Sequence, residues 1–415
     1  MDRVLPAIEG AAPCYLVGGA VRDLLLGREP LDIDVAVEGD VEDVADRLAA
    51  ALGGEVTAHE RFGTATVSAG GLDVINLART RREMYPAPGA LPEVEPATLD
   101  EDLGRRDFTI NAMALGLNRD RAGELRDPHD GRSDLRDGLI RILHPASFSD
   151  DPTRLLRAAR YAARLGFALE RDTERWARAA IADGALATVS GSRIRDELID
   201  LLAEDEAPRA TELLDELGID SALHRGLQAN PELVASAKLG AAETGADPAL
   251  TALAALGTLG TAHCDEAVPI GDLQAAETSV SPGEGLAAWT DRLGLAASAR
   301  DAVVRAARRA PRLVTELRRD LRPSELHELL DGEPPEALAL ALGLGAPAEP
   351  VLDFVSRLSH TRLEITGADL LAAGLPESPA LGRALDETFA RKLDGEVDGR
   401  EEELRVACEI ARGER

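Results

Sequence analysis

Residues 18–40 read GGAVRDLLLGREPLDIDVAVEGD, and within them Asp32 and Asp34 sit one residue apart in an otherwise apolar, strand-like run. Alternate residues of a strand point to the same face, so the two carboxylates share one face while Leu31, Ile33, Val35 and Val37 share the other. Like charges held together cost free energy unless a cation sits between them. The run is therefore expected in a sheet that packs one face on helices and offers a hard oxygen site, suited to Mg²⁺, on the other. Just upstream, Gly18 and Gly19 bring backbone N–H groups to a helix start, a favourable place for phosphate, and Arg22 follows one turn later. Glycine turn, arginine and paired aspartates together describe a site for a metal-bound nucleoside triphosphate and in-line phosphoryl transfer.

The rest of the chain divides into two textures. Up to about residue 140, strand and helix signals alternate. GDVEDVADRLAAALGG predicts a helix capped by Asp40, with Val44, Leu48 and Leu52 on one face and Gly53-Gly54 as its stop. FGTATVSAGGLDVINLAR predicts a hairpin turning at Ala69-Gly70-Gly71, and MYPAPGALPEVEPATLDED reads as a Pro-rich acidic loop. From about residue 150 the pattern is helical almost throughout, broken near 230–250, 265–285 and 333–350. A chain of 415 residues exceeds one core, and its 3% aromatic content leaves cores of Leu, Val, Ala and Ile, which suit helices. Cys14, Cys264 and Cys408 form no close pair, which fits a reducing cytoplasm. No basic stretch followed by an apolar core opens the chain, and no apolar run reaches about 18 residues, so neither secretion nor membrane spanning is expected.

In order and spacing, LVGGAVRDLLLG…LDIDVAV, RRDFTINAMAL, RDPHDGRSDLRDGLIR and DDPTRLLRAARYAARLGF resemble the motifs of bacterial class II tRNA nucleotidyltransferases. These are the CCA-adding enzymes, with CC-adding, A-adding and poly(A) polymerase relatives. LEITGADLLAAGLPESPALGRALDETFARKLDGEV resembles that family's tail. The resemblance implies an α/β head with a polymerase-β-like mixed sheet over 1–140. A helical neck with a base-reading helix (141–205), a helical body (206–330) and a tRNA-binding tail (331–415) would follow. It implies that Asp32 and Asp34 bind the catalytic Mg²⁺, that Gly18, Gly19 and Arg22 hold the triphosphate, and that Arg106 and Asp107 contact the ribose. Asp151 and Arg154, three apart and expected on one helix face, would read the base edge of CTP or ATP, since C and A both carry an exocyclic amine.

On the same helix Arg154, Arg157, Arg160 and Arg164 fall within about a third of the circumference, an arginine stripe expected to face phosphate. Asp150 stands where the family has Glu. The family's third acidic position falls on Asn76, with Asp73 three residues earlier, which puts metal affinity in question. His129-Asp130 is read as part of a turn opened by Asp127-Pro128, not as a phosphohydrolase site, because the other histidines supply no further ligand cluster.

The formal charge of −29 argues at first against a nucleic-acid partner, yet a local basic face suffices for binding. RDAVVRAARRAPRLVTELRRDLR, residues 300–322, holds eight arginines against three acids, and Arg305, Arg308 and Arg309 are its candidate tRNA contacts. The expected activity is addition of CCA to tRNA from CTP and ATP. Alternatives are A-addition alone beside a separate CC-adding enzyme, a poly(A) polymerase, which the acidic tail disfavours, and a catalytically weak tRNA-binding protein. The stretch from Met84 to Asp102 is not shortened, which argues against a CC-only enzyme.

Overall fold

The computed structural model describes residues 4–30, 32–59, 63–70, 74–264 and 285–413. Leu31, Gly71, Asp73 and most of the 265–285 break lie outside the described residues. The chain forms two compact units, Met1–Leu223 and His224–Arg415. No helix among the described residues is long and apolar enough to cross a membrane.

The first unit begins with α1 (Val4–Ala7), β1 (Cys14–Val17), α2 (Gly19–Leu25), β2 (Ile33–Val37), α3 (Val41–Leu52), β3 (Glu55–His59), β4 (Thr64–Ser68) and β5 (Ile75–Arg79). There follow β6 (Arg81–Met84), β7 (Glu93–Pro96), α4 (Leu99–Gly104), a 3₁₀ turn (Thr109–Asn111), β8 (Ala114–Gly116) and β9 (Leu125–Arg126). Seven strands make a mixed sheet in the order β3-β4-β5-β2-β1-β8-β9, in which only β2 and β5 run parallel. All four residues of β1 are buried, as expected for a strand with neighbours on both sides. The expected α/β head with a mixed sheet is what the chain forms.

Local signals account for α3. The Asp40 carboxylate accepts the Glu42 and Asp43 amides, and Gly53 ends the helix at φ 70°. Val41, Val44, Ala45, Leu48 and Ala49 are its buried side, and it packs against β4. The β4–β5 hairpin also forms where the alternation placed it. The stretch read as a Pro-rich loop is different. Arg81–Met84 pairs antiparallel with Glu93–Pro96, so only its middle is a connection. α4 then starts at a capping box between Thr98 and Glu101. Cross-strand ion pairs such as Arg82–Glu95 hold this ribbon, and the acidic run hid its strand character.

Beyond the sheet come α5 (Gly131–Asp137), β10 (Leu139–Ile140), α6 (Ser147–Asp150), α7 (Thr153–Leu165), β11 (Ala168–Leu169), α8 (Arg171–Ala182), α9 (Gly191–Ala203), α10 (Ala207–Leu217) and α11 (Ile219–Leu223). Both Asp127 carboxylate oxygens accept amides at the start of α5, from Gly131 and Arg132, which makes DPHDG a helix entry. Asp130 sits there at φ 56°.

The second unit is helical: α12 (Pro231–Thr244), α13 (Pro248–Cys264), α14 (Leu286–Arg292), α15 (Ala297–Glu316), α16 (Pro323–Leu330), α17 (Pro335–Gly343), α18 (Ala348–Ser356), α19 (Gly367–Ala372), α20 (Pro379–Leu393) and α21 (Arg400–Arg412). Here α17 is the hub, packed on α12, α13 and α15. A side chain at Gly240 would come within 2.4 Å of the Ala339 carbonyl oxygen, so α12 and α17 approach as closely as they do only because Gly240 has none.

One contact places the segment that the site depends on. α5 packs on the 3₁₀ turn at Thr109–Asn111, and a Cβ at Gly131 would lie 2.1 Å from the Thr109 carbonyl oxygen. The buried Asp134 carboxylate accepts the Thr109 hydroxyl at 2.7 Å across the same junction. Gly131→Ala is expected to cost about 2 kcal/mol of stability, because backbone must move to admit the methyl. Urea unfolding of the variant beside the parent protein checks this.

Candidate active site

An open cleft of about 340 Å³ in the first unit is lined by residues from β2, the ribbon, the 3₁₀ turn and α7. Its lining includes Gly18, Gly19, Asp34, Arg106, Asp107, Asp151, Arg154 and Arg157. Eight of the sequence-derived site residues thus meet in one place. Glu83, Tyr85, Arg105, Asn111 and Tyr161 complete the lining. They had no individual signal in the sequence, although Arg105 stands beside Arg106 in the RRD motif.

Gly18 adopts φ 70°, ψ −134°, a conformation open essentially only to glycine, and a Cβ there would meet the Arg106 guanidinium at 2.9 Å. No side chain caps α2, so its first amides have no intrahelical partner. Arg22 departs from expectation. It is 3% exposed and does not line the cleft. It donates to Asn111 Oδ1 at 2.8 Å and Asp23 Oδ1 at 2.9 Å, tying α2 to the 3₁₀ turn.

Asp32 and Asp34 are both exposed at the start of β2. Asn76 is the register partner of Asp34 on β5 and donates its amide to Asp34 Oδ1 at 3.3 Å, while Thr66 donates to Asn76 Oδ1 at 3.3 Å. The third acidic position therefore does fall beside Asp34, occupied by a neutral side chain turned with its donor towards the carboxylate. Among the described residues no group of three or more His, Cys, Asp or Glu is arranged to hold a metal. Two carboxylates and a nearby amide fit a hard divalent cation that keeps water or phosphate as its remaining ligands.

Arg106 and Asp107 part company. Arg106 pairs with the buried Asp102, which also pairs with Arg105, and the buried Arg106 Nε has no hydrogen-bond partner among the described residues. Asp107 accepts four hydrogen bonds: Phe108 N and Asn111 Nδ2 on Oδ1, Arg157 Nε and Nη2 on Oδ2. A carboxylate offers about four acceptor positions, so none is left for a ribose hydroxyl. Asp107, in the cleft lining, thus holds Arg157 in place. Burial opposes its ionisation, but Arg157, the Asn111 amide and the charge of Arg154 outweigh this and hold the carboxyl below its usual range.

Asp151 and Arg154 do not share a helix. Asp151 is extended at φ −132°, ψ 91°, and its carboxylate accepts the Thr153 amide and hydroxyl at the mouth of α7. Arg154 lies within α7, almost fully buried, and donates to Ser147 Oγ at 2.6 Å and to the Arg105 carbonyl at 2.7 Å. The arginine stripe on α7 is largely neutralised. Arg157 reaches Glu197, Arg160 reaches Asp200 and Glu197, and Arg164 reaches Glu204. Arg22, Arg157 and Arg160 surround the Tyr161 ring with guanidinium carbons 5.3–5.5 Å from its centroid, and Phe108 meets it edge-on. Of the stripe, only Arg154 and Arg157 line the cleft; Arg160 does not.

The second unit's arginine run is also partly spoken for. Arg305 and Arg309 both pair with Glu333, and Arg309 also with Glu316. Arg308 is exposed and in no ion pair among the described residues.

Residues 14–141 match the poly(A) polymerase head domain, and residues 166–230 match a probable RNA- and SrmB-binding site of polymerase A. The chain is 35% identical over 96% of its length to the A-adding tRNA nucleotidyltransferase of Geobacter sulfurreducens, 45% of which it covers. It is 34% identical to the CC-adding tRNA nucleotidyltransferase of Deinococcus radiodurans, with 94% of this chain and 87% of that protein aligned. The structure of a CCA-adding enzyme with CTP is similar with a TM-score of 0.77 and 28% identity, over 99% of this chain and 93% of that one. The chain spans half or less of the length of several other curated relatives that it matches.

Two outcomes follow from this geometry. The depressed carboxyl of Asp107 contributes stability that is fully present above the unfolded value near 3.8 and is lost as pH falls through the lower folded value. Asp107→Asn is therefore expected to lose about 3 kcal/mol at pH 7, with the gap to the parent closing below about pH 4, in urea titrations at stepped pH. Asn76→Asp removes the donor facing Asp34 and adds a third carboxylate. It should lower melting temperature in EDTA and bind Mn²⁺ about ten-fold more tightly, read from Mn²⁺-dependent melting shifts.

Proposed function

The chain belongs to the tRNA nucleotidyltransferase family that carries the poly(A) polymerase head, and on that premise we propose that it adds C and A, from CTP and ATP, to tRNA 3′ ends without a template. The observation that carries this reading is the single cleft joining the Gly18-Gly19 turn, Asp34 and the Asp151–Arg154 pair. Triphosphate, bound metal and base of one nucleotide need three kinds of partner, and this lining offers all three.

On this reading the uncapped amides at the start of α2, from Gly19 onward, and the Arg106 guanidinium in the cleft lining donate to the triphosphate. Asp151 accepts from the exocyclic amine of C or A, and Arg154 donates to ring nitrogen or carbonyl. U and G present an oxygen where the amine would be and are rejected. The 3′-hydroxyl oxygen of the tRNA bonds to the α-phosphorus, the bond from that phosphorus to the bridging oxygen breaks, and pyrophosphate leaves with the electron pair. The hydroxyl proton passes to solvent. Asp32 and Asp34 would hold a hard divalent cation such as Mg²⁺, which when bound neutralises phosphate charge and acidifies the hydroxyl. The arginine run between 300 and 322 is the candidate for tRNA backbone contact, with exposed Arg308 at its centre and Arg305 and Arg309 drawn aside by Glu333.

A second reading, A-addition alone, is favoured by the Geobacter relative, which aligns with nearly the whole chain and is named A-adding. Purified protein with Mg²⁺ and tRNAs ending before CCA, after C and after CC, supplied with labelled CTP, ATP or both, separates the two. We expect all three forms to be extended to CCA. Extension of the CC-ended form alone, by ATP, establishes the second reading. No extension of any form refutes both.

A further inference from the structure

The face of α7 that lines the cleft carries Arg154, Arg157 and Tyr161 at helical spacing. They fall within about 60° of one another around the helix, and Tyr161 stands roughly 10 Å beyond Arg154 along its axis. Arg154 marks the end of the cleft that holds Asp151. The end that Tyr161 marks is fixed by α2. A Cβ on Gly19 would lie 3.4 Å from Arg22 Nη2, and the same guanidinium packs on the Tyr161 ring, its carbon 5.3 Å from the centroid. Only the Arg22 guanidinium separates Tyr161 from the glycine turn.

The ring is held by three guanidinium groups and by the edge of Phe108, so its hydroxyl has a set position. The Tyr161 hydroxyl oxygen accepts Arg157 Nη2 at 3.1 Å. A guanidinium can only donate, so this bond takes a lone pair and leaves the phenolic proton unspent. That proton has no acceptor among the described residues. The neighbouring cations are committed by contrast. Arg22 gives Nε and Nη2 to Asp23 and Nη1 to Asn111, while Arg157 gives Nε and Nη2 to Asp107 and Nη1 to Glu197. At this end of the cleft wall, the tyrosine is the side chain with an uncommitted donor on a fixed scaffold.

We infer that Tyr161 is a triphosphate-binding residue: its hydroxyl donates to a non-bridging oxygen in the pyrophosphate portion of the nucleotide. The inference rests on the proposed seating of the triphosphate at the glycine turn. With the base edge at Asp151 and Arg154, a nucleotide laid along α7 brings its outer phosphates to the Tyr161 end. The bond is charge-assisted from the phosphate side, yet the phenol itself is neutral. It therefore adds a directed contact without adding charge to a wall whose arginines are already balanced by Asp107 and Glu197. Tyr161→Phe isolates this contact, because phenylalanine keeps the ring on which Arg22, Arg160 and Phe108 pack and removes only the hydroxyl.

Calorimetric titration of the full chain with CTP, CMP and inorganic pyrophosphate, each with Mg²⁺, tests this beside urea unfolding of both proteins. The parent is expected to bind CTP more tightly than CMP. Tyr161→Phe should unfold close to the parent's urea midpoint and weaken CTP and pyrophosphate about ten-fold, the loss typical of one hydrogen bond to a charged group. CMP, which lacks the outer phosphates, should bind the two proteins equally. A general loosening of the cleft would weaken all three ligands together, so the CTP-over-CMP ratio reports the contact. A Tyr161→Phe protein with the parent's ratio overturns the inference and leaves the triphosphate seat standing. So does an equal loss for CMP and CTP, which places the hydroxyl on the nucleoside or its first phosphate. A parent that binds CTP no more tightly than CMP overturns both.

Discussion

The buried pair between Asp107 and Arg157 is the joint on which the cleft is built. Asp107 lies between α4 and the 3₁₀ turn, Arg157 lies in the middle of α7, and two bonds of 2.6 and 2.9 Å link them. A buried carboxylate in low-dielectric surroundings is costly unless its acceptor positions are filled, and here all of them are. Arg157 then reaches Glu197, so that α9 joins the same network. The wall that carries Arg106 and the wall that carries Arg154 are thereby held by charge as well as by apolar packing of Phe108 and Tyr161.

An acidic chain can bring four arginines to one cleft because most of them are placed by particular acids. Arg157, Arg160 and Arg164 follow a spacing of three and four residues, and so do Glu197 and Asp200 on α9 and Glu204 just past its end. The two helices meet as complementary combs. This pairing immobilises Arg157, Arg160 and Arg164 and cancels their charge, whereas Arg154, in the cleft wall, is in no ion pair among the described residues. Net charge, being a sum over the surface, carries no information about that wall.

Much of this was legible in the residues. Asp40 and Gly53 bounded α3 because capping and left-handed termination are local properties, settled within four residues of the helix end. The paired aspartates and glycine turn were legible because strand periodicity and positive φ are equally local. What failed was non-local or rested on an unexamined assumption. Spacing alone put Asp151 on the helix of Arg154, but Asp151 precedes Pro152, and a residue before proline is turned away from helical geometry. The arginine stripe was read without its partners on α9, although the matching acid spacing was visible forty residues on. Arg22 and Asp107 were assigned outward roles, and only the fold reveals that each spends its hydrogen bonds on neighbours. The ribbon at Arg81–Pro96 was hidden because charged cross-strand pairs replace the apolar alternation by which strands are usually recognised.

The same distinction bears on how the cleft would select a base. Recognition by an open carboxylate is permissive, since either oxygen can swing to meet a donor and a rotated carboxylate can accept a water in place of an amine. At Asp151 three donors converge on Oδ1, so the orientation of this carboxylate is set by hydrogen bonds within the fold. With Arg154 similarly fixed, acceptor and donor stand at a set relation, and a base that offers an oxygen where an amine is required leaves Asp151 facing a lone pair. Rejection is then a matter of an unpaired, partly buried charge, which costs more than the loss of a contact on a mobile surface. On the proposed reading a pair held this way would need no nucleic-acid template, because the protein's own hydrogen bonds would already present the complement to the incoming base.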